Sequence, residues 1–111
     1  MSVEEINIDK ALAFIRNNAG PLSKAKAERI YLEQYRKSLK AILIQECEDG
    51  TIQTKESYAY SHPDYLELLQ GLKAAVEEEE KIRWLMIAAQ AKIEVYRTQQ
   101  ANNRFIDKAH T

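Results

Sequence analysis

The chain is poor in the residues that interrupt or cross-link a fold. It has 3 Gly, 2 Pro and 1 Cys in 111 residues. A single cysteine, Cys47, excludes an intrachain disulfide and any multi-cysteine zinc site. No G-x-S-x-G, Gly-rich phosphate loop, H-E-x-x-H or C-x-x-C occurs, so neither a catalytic residue, a metal ligand nor a cofactor is assigned. His62 precedes Pro63 at an expected helix start and is read as solvent-facing, and His110 lies in the tail. The N-terminus lacks a basic start followed by an apolar run. No apolar stretch approaches the roughly 20 residues of a membrane span. A soluble protein of the cytoplasm, with no membrane partner and no small-molecule substrate, is the expectation.

What is abundant is Ala, Leu, Glu, Lys, Gln and Arg, all helix formers. Charged residues make up 30% and hydrophobic ones 45%, with a net charge of −1. The balance hides an uneven spread: residues 1–22, 23–44, 45–80 and 81–111 carry net charges of −1, +4, −8 and +4. Two basic segments around an acidic one fit either polyanion binding or internal pairing of helices.

The pattern predicts one all-α domain over residues 1–111, loose at 1–8 and frayed at 107–111. A short N-terminal helix runs from Asp9, as N-cap, to about Asn18. "NNAGP" stops it, with Gly20 as C-terminal cap and Pro21 barring continuation. Ser23 caps a second helix, 24–48, whose buried stripe is Leu32, Tyr35, Leu39 and Ile42. Asp49-Gly50 turns the chain. Residues 51–60 fit a loop, a helical turn or a short extended piece. Ser61 and Asp64 form a capping box with Pro63 in the first turn of a third helix of about 40 residues. An antiparallel hairpin then sets Ile44 near Tyr65, Lys24 near Leu85 and Glu77–Glu80 near residues 28–32, where Glu79 meets a basic partner.

Past residue 86 the third helix outruns the second and is apolar on two sides. Ile82, Leu85, Met86, Ala89, Ile93 and Tyr96 form one stripe. Trp84, Ile87, Ala88, Ala91 and Val95 form another. The first helix covers the second stripe, or a second copy of the chain does. The expectation adopted is a homo-oligomer with Trp84, Ile87, Ala88, Ala91 and Val95 at its interface. Arg83, Gln90, Arg97 and Arg104 recur every seven residues and share one flank, suited to phosphate. Lys24, Lys26, Arg29, Arg36, Lys37 and Lys40 make the second helix basic, interleaved with Tyr31 and Tyr35, and Arg36 and Lys40 are taken as a second basic patch.

The runs "AKAERIYLEQYRKSLKAIL" (25–43) and "SHPDYLELLQGLKAAVEEEEKIRWLMIAAQAKIEVYRTQQANNR" (61–104) resemble a family of small helical proteins of tailed phages and prophages, and distantly the UvsY-type recombination mediators. The resemblance implies an oligomer in the cytoplasm of a bacterial host that binds single-stranded DNA and helps load a recombinase against a single-strand-binding protein. Arg83, Arg97, Arg104, Arg36 and Lys40 are the candidate DNA contacts, taken from the flank argument. The rival expectation is a structural or protein-interaction module, a phage assembly factor or adaptor, without nucleic-acid affinity.

Overall fold

The computed structural model describes residues 5–109. Residues 1–4 of the expected loose N-terminus, and residues 110 and 111 of the expected frayed tail with His110, lie outside the described residues. The chain forms three helices: α1 (Ile8–Glu46), α2 (Ile52–Ser61) and α3 (Pro63–Ala109). No strand occurs among the described residues, and no helix among them is long and apolar enough to cross a membrane. Two compact units emerge. A hairpin unit comprises Ser23–Glu80, and a terminal unit joins Met1–Leu22 to Lys81–Thr111.

The expected short N-terminal helix does not exist as a separate element. α1 runs unbroken through Gly20 and Pro21. Its N-cap is Asn7, whose Oδ1 accepts the Lys10 backbone N–H at 3.0 Å, and Asp9 sits in the first turn. Ser23 lies inside the helix rather than capping one. A proline within a helix forfeits one backbone bond and costs about 3 kcal/mol. Pro21 is exposed, so the carbonyl it leaves unbonded lies on a wet face. The burial rhythm also continues in step across it, and that packing offsets the cost.

That rhythm is the organising feature of both long helices. On α1, Ala11, Ile15, Asn18, Leu22, Ala25, Arg29, Leu32, Arg36, Leu39 and Leu43 are all buried or half-buried, and they lie alternately four and three apart. On α3, Tyr65, Leu68, Leu72, Ala75, Glu79, Ile82, Met86, Ala89, Ile93 and Tyr96 do the same, three and four apart. A strict seven-residue repeat is the signature of coiled-coil packing. The stripe expected on α1 is corrected at two places. Tyr35 and Ile42 are 41% and 46% exposed, and Arg36 and Leu43 hold the seam positions instead.

In the hairpin unit, Leu39, Leu43, Ala59, Tyr65 and Leu68 form the core, with Ile44 and Leu69 packed against it. Leu43 is the most enclosed large side chain. Gly50, at φ 115°, makes the turn after α1. Residues 51–60, ambiguous in sequence, are helical. Thr51 Oγ1 accepts the Thr54 N–H at 3.2 Å to cap α2, and the fully buried Ala59 ties it to the core. The expected capping box at Ser61 is absent. Ser61 Oγ donates back to the Ser57 carbonyl at 2.7 Å, closing α2. The cap of α3 is His62, whose Nδ1 accepts the Asp64 N–H at 3.0 Å. His62 is therefore half-buried at a helix junction rather than solvent-facing.

Candidate functional site

The hairpin register follows from one buried pair. Glu79, the only buried charged residue among those described, accepts from Arg29 through both carboxylate oxygens. Arg29 Nη2 lies 3.1 Å from Glu79 Oε1, and Nη1 also reaches Glu33 at 3.1 Å. A forked guanidinium–carboxylate pair of this kind demands one alignment of the two helices. These hydrogen bonds hold the Glu79 carboxyl below its usual range, against the opposing effects of burial and of Glu80, and they raise the Arg29 guanidinium. The alignment agrees with the register expected from the apolar pattern.

Of the basic residues nominated for DNA, Lys40 and Arg36 belong to the hairpin unit. Lys40 Nζ sits 4.7 Å from the centroid of the Tyr60 ring and 3.9 Å from Glu56, and Tyr60 makes an edge contact with Tyr65. Hydrogen bonding with Tyr60 raises the Lys40 ammonium above its ordinary pKa, and Glu56 adds to the rise. Arg36 is half-buried in the seam. Lys40, like Arg29, is thus held by partners within the unit.

The terminal unit holds the rest. Arg83, Arg97 and Arg104 are all exposed. The Arg83 guanidinium lies over the Trp84 ring, 5.0 Å from its centroid, a cation–π contact. Arg97 pairs with Glu94 at 3.1 Å, both more than two-thirds exposed. Such an exposed pair contributes little and yields readily to a polyanion.

Every residue of the second apolar stripe is exposed: Trp84 at 59%, Val95 at 49%, Ile87 at 38%, and Ala88 and Ala91 with them. On the other side of α3, Ile82 and Ala89 are buried and Met86, Ile93 and Tyr96 half-buried, while Leu85 remains 46% exposed. One side of the helix is thus packed and the other, equally free of charge, is open. Phe105 and Ile106 extend the open apolar surface toward the end of α3, at 74% and 51%.

Two features escaped the sequence reading. Tyr31 and Tyr35 stack in parallel, centroids 6.0 Å apart and planes within 5°, on the exposed side of α1. Their spacing of four, set beside the seam arginines, was the available signal. A groove of about 490 Å³ also lies between the start of α1 and the middle of α3, with Lys10, Ala11, Phe14, Leu85, Ala88 and Lys92 in its lining. The sequence offered the first helix as one cover for this stretch of α3 but marked no groove. Among the described residues, no three His, Cys, Asp or Glu side chains are grouped to hold a metal ion.

Compared with protein-family models, curated proteins and solved structures, the chain matches none.

Proposed function

We propose that the protein is a non-enzymatic helical interaction module that assembles with further copies of itself through the open face of α3. The observation that carries this reading is the exposure of Trp84, Ile87, Ala88, Ala91 and Val95 together on one uncharged side of a helix whose other side is packed. Contiguous apolar surface of this kind marks interaction sites. The self-partner is favoured by scale: covering each large side chain contributes roughly 1.5–3 kcal/mol, and a small helical core has little stability to spare. Light scattering tests it. A mass of at least two chains of 12.8 kDa is expected for the wild type, returning to one chain for Val95→Glu, and a wild-type mass of one chain at all concentrations refutes it.

A second reading is an accessory protein of phage DNA recombination or replication that binds single-stranded DNA in the cytoplasm of a bacterial host, beside a recombinase or single-strand-binding protein. One observation favours it: Arg83 over Trp84 presents a cation and an exposed ring together, with Arg97 and Arg104 on the same flank. Bases stack on such rings regardless of sequence. Titration of labelled oligo-dT at low and moderate salt tests it. Binding that weakens steeply with salt, and weakens again in Arg97→Ala/Arg104→Ala, is expected. No binding at low salt refutes it.

A further inference from the structure

α3 carries a second set of positions at coiled-coil spacing, offset from the packed seam. Trp84, Ala88, Ala91, Val95, Thr98, Asn102 and Phe105 lie alternately four and three apart, all are exposed, and none is charged. Resting on the assembly reading above, we propose that this second seam meets the same seam of a second copy with the two α3 helices antiparallel, position i facing position 179 − i. Trp84 then faces the partner's Val95, and Ala88 faces the partner's Ala91.

Two observations select this direction over a parallel pair. The first is volume. Either direction places two alanine layers in the middle, but a parallel, in-register pair sets Trp84 against the partner's Trp84 at one end and Val95 against Val95 at the other. The indoles would hold the helices apart where the alanines need them close, because interaxial distance follows side-chain size at the contact. The antiparallel pair groups Ala88 and Ala91 at the centre and places one Trp–Val layer at each end.

The second is charge. Lys81 and Glu77, both exposed, continue the seam N-terminally from Trp84 at spacings of three and four. Parallel, in-register pairing sets each of them against its own copy, like charge on like charge. Antiparallel pairing sets Lys81 beside the partner's Thr98 and Glu77 beside the partner's Asn102, whose amide can donate. A single Asn at a seam position fixes register in coiled coils. Glu79 takes no part, because Arg29 holds it on the packed side.

Disulfide trapping tests the direction. In a Cys47→Ser background, Lys81→Cys and Thr98→Cys are made singly and together. Both positions are exposed, and neither replaces an apolar contact. In the proposed pair, position 81 faces the partner's 98. Like positions stand 17 residues apart along the axis, about 25 Å at 1.5 Å per residue, beyond any disulfide. After oxidation with copper phenanthroline, the expected result is a covalent dimer from the double variant alone. Dimers from both single variants overturn the antiparallel direction. So does a double variant that stays uncrosslinked while light scattering finds two chains. A single-chain mass for all variants and for the wild type instead removes the assembly reading on which the direction rests.

Discussion

Replacing Gly20 by Ala decides whether α1 is continuous, because the sign of the effect depends on it. In the continuous helix Gly20 has an ordinary helical backbone, since the only described residue at positive φ is Gly50. A Cβ added at Gly20 meets nothing within 4 Å. Ala then gains the interior helix preference of about 1 kcal/mol over Gly. Pro21→Ala restores a backbone bond worth up to about 3 kcal/mol, less about 1 kcal/mol for the proline's stiffening of the unfolded chain. The double substitution should therefore stabilise by about 3 kcal/mol, and each 1 kcal/mol raises Tm by roughly 3–5 °C at this size. Gly50→Ala is the opposing control, because at φ 115° the new Cβ lies 3.0 Å from Thr54 Cβ and Cγ2. Urea unfolding followed by far-ultraviolet circular dichroism, at one fixed protein concentration, gives all three values. If the chain instead stopped a helix at Gly20 in a left-handed cap, Gly20→Ala would destabilise by about 1–2 kcal/mol. A loss of stability in Gly20→Ala refutes the continuous helix, and with it the shared rhythm of burial along α1.

Two further outcomes follow from the hairpin unit. Leu43→Ala should cost about 2–5 kcal/mol in urea unfolding, because Leu43 is 1% exposed and its removal leaves a cavity against Tyr65 and Leu68; a cost below 1 kcal/mol contradicts the placement of the core. Glu79 has a folded pKa below the ordinary 4.5, so its contribution is fully present above that value and is lost as pH falls through the folded one. Wild-type urea midpoints should accordingly fall faster below about pH 4.5 than those of Glu79→Gln, and parallel curves for the two proteins would show that the Arg29–Glu79 pair does not form in solution.

The hairpin was legible because apolar periodicity and the Asp49-Gly50 turn constrain each other, and together they predicted that Glu79 would meet a basic residue. The α1 seam was legible only in part. Two of its three polar members, Arg29 and Arg36, are arginines, whose stems pack along a seam, and a search for apolar spacing passes over them. Tyr35 and Ile42 filled the gap in the pattern but not in the structure. Gly20-Pro21 misled for a different reason: local preference signals a stop, and packing on both sides overrides a local cost of a few kcal/mol. α2 buries one small residue, Ala59, too weak a period to read. His62 capped where Ser61 was expected because Ser61 satisfies itself on the carbonyls of α2. At the candidate site, the open stripe of α3 could be read from apolar spacing alone. The fate of Lys40 could not, since it depends on Tyr60 and Glu56 arriving from α2.

Trp84 is the chain's one tryptophan, 59% exposed in a single copy and part of the open face. Acrylamide quenching of its fluorescence across a dilution series therefore reports directly on whether another copy covers that face. The account predicts protected, blue-shifted emission at high concentration that becomes quenchable and red-shifted on dilution. Quenching that is strong and identical from the highest concentration to the lowest would contradict it.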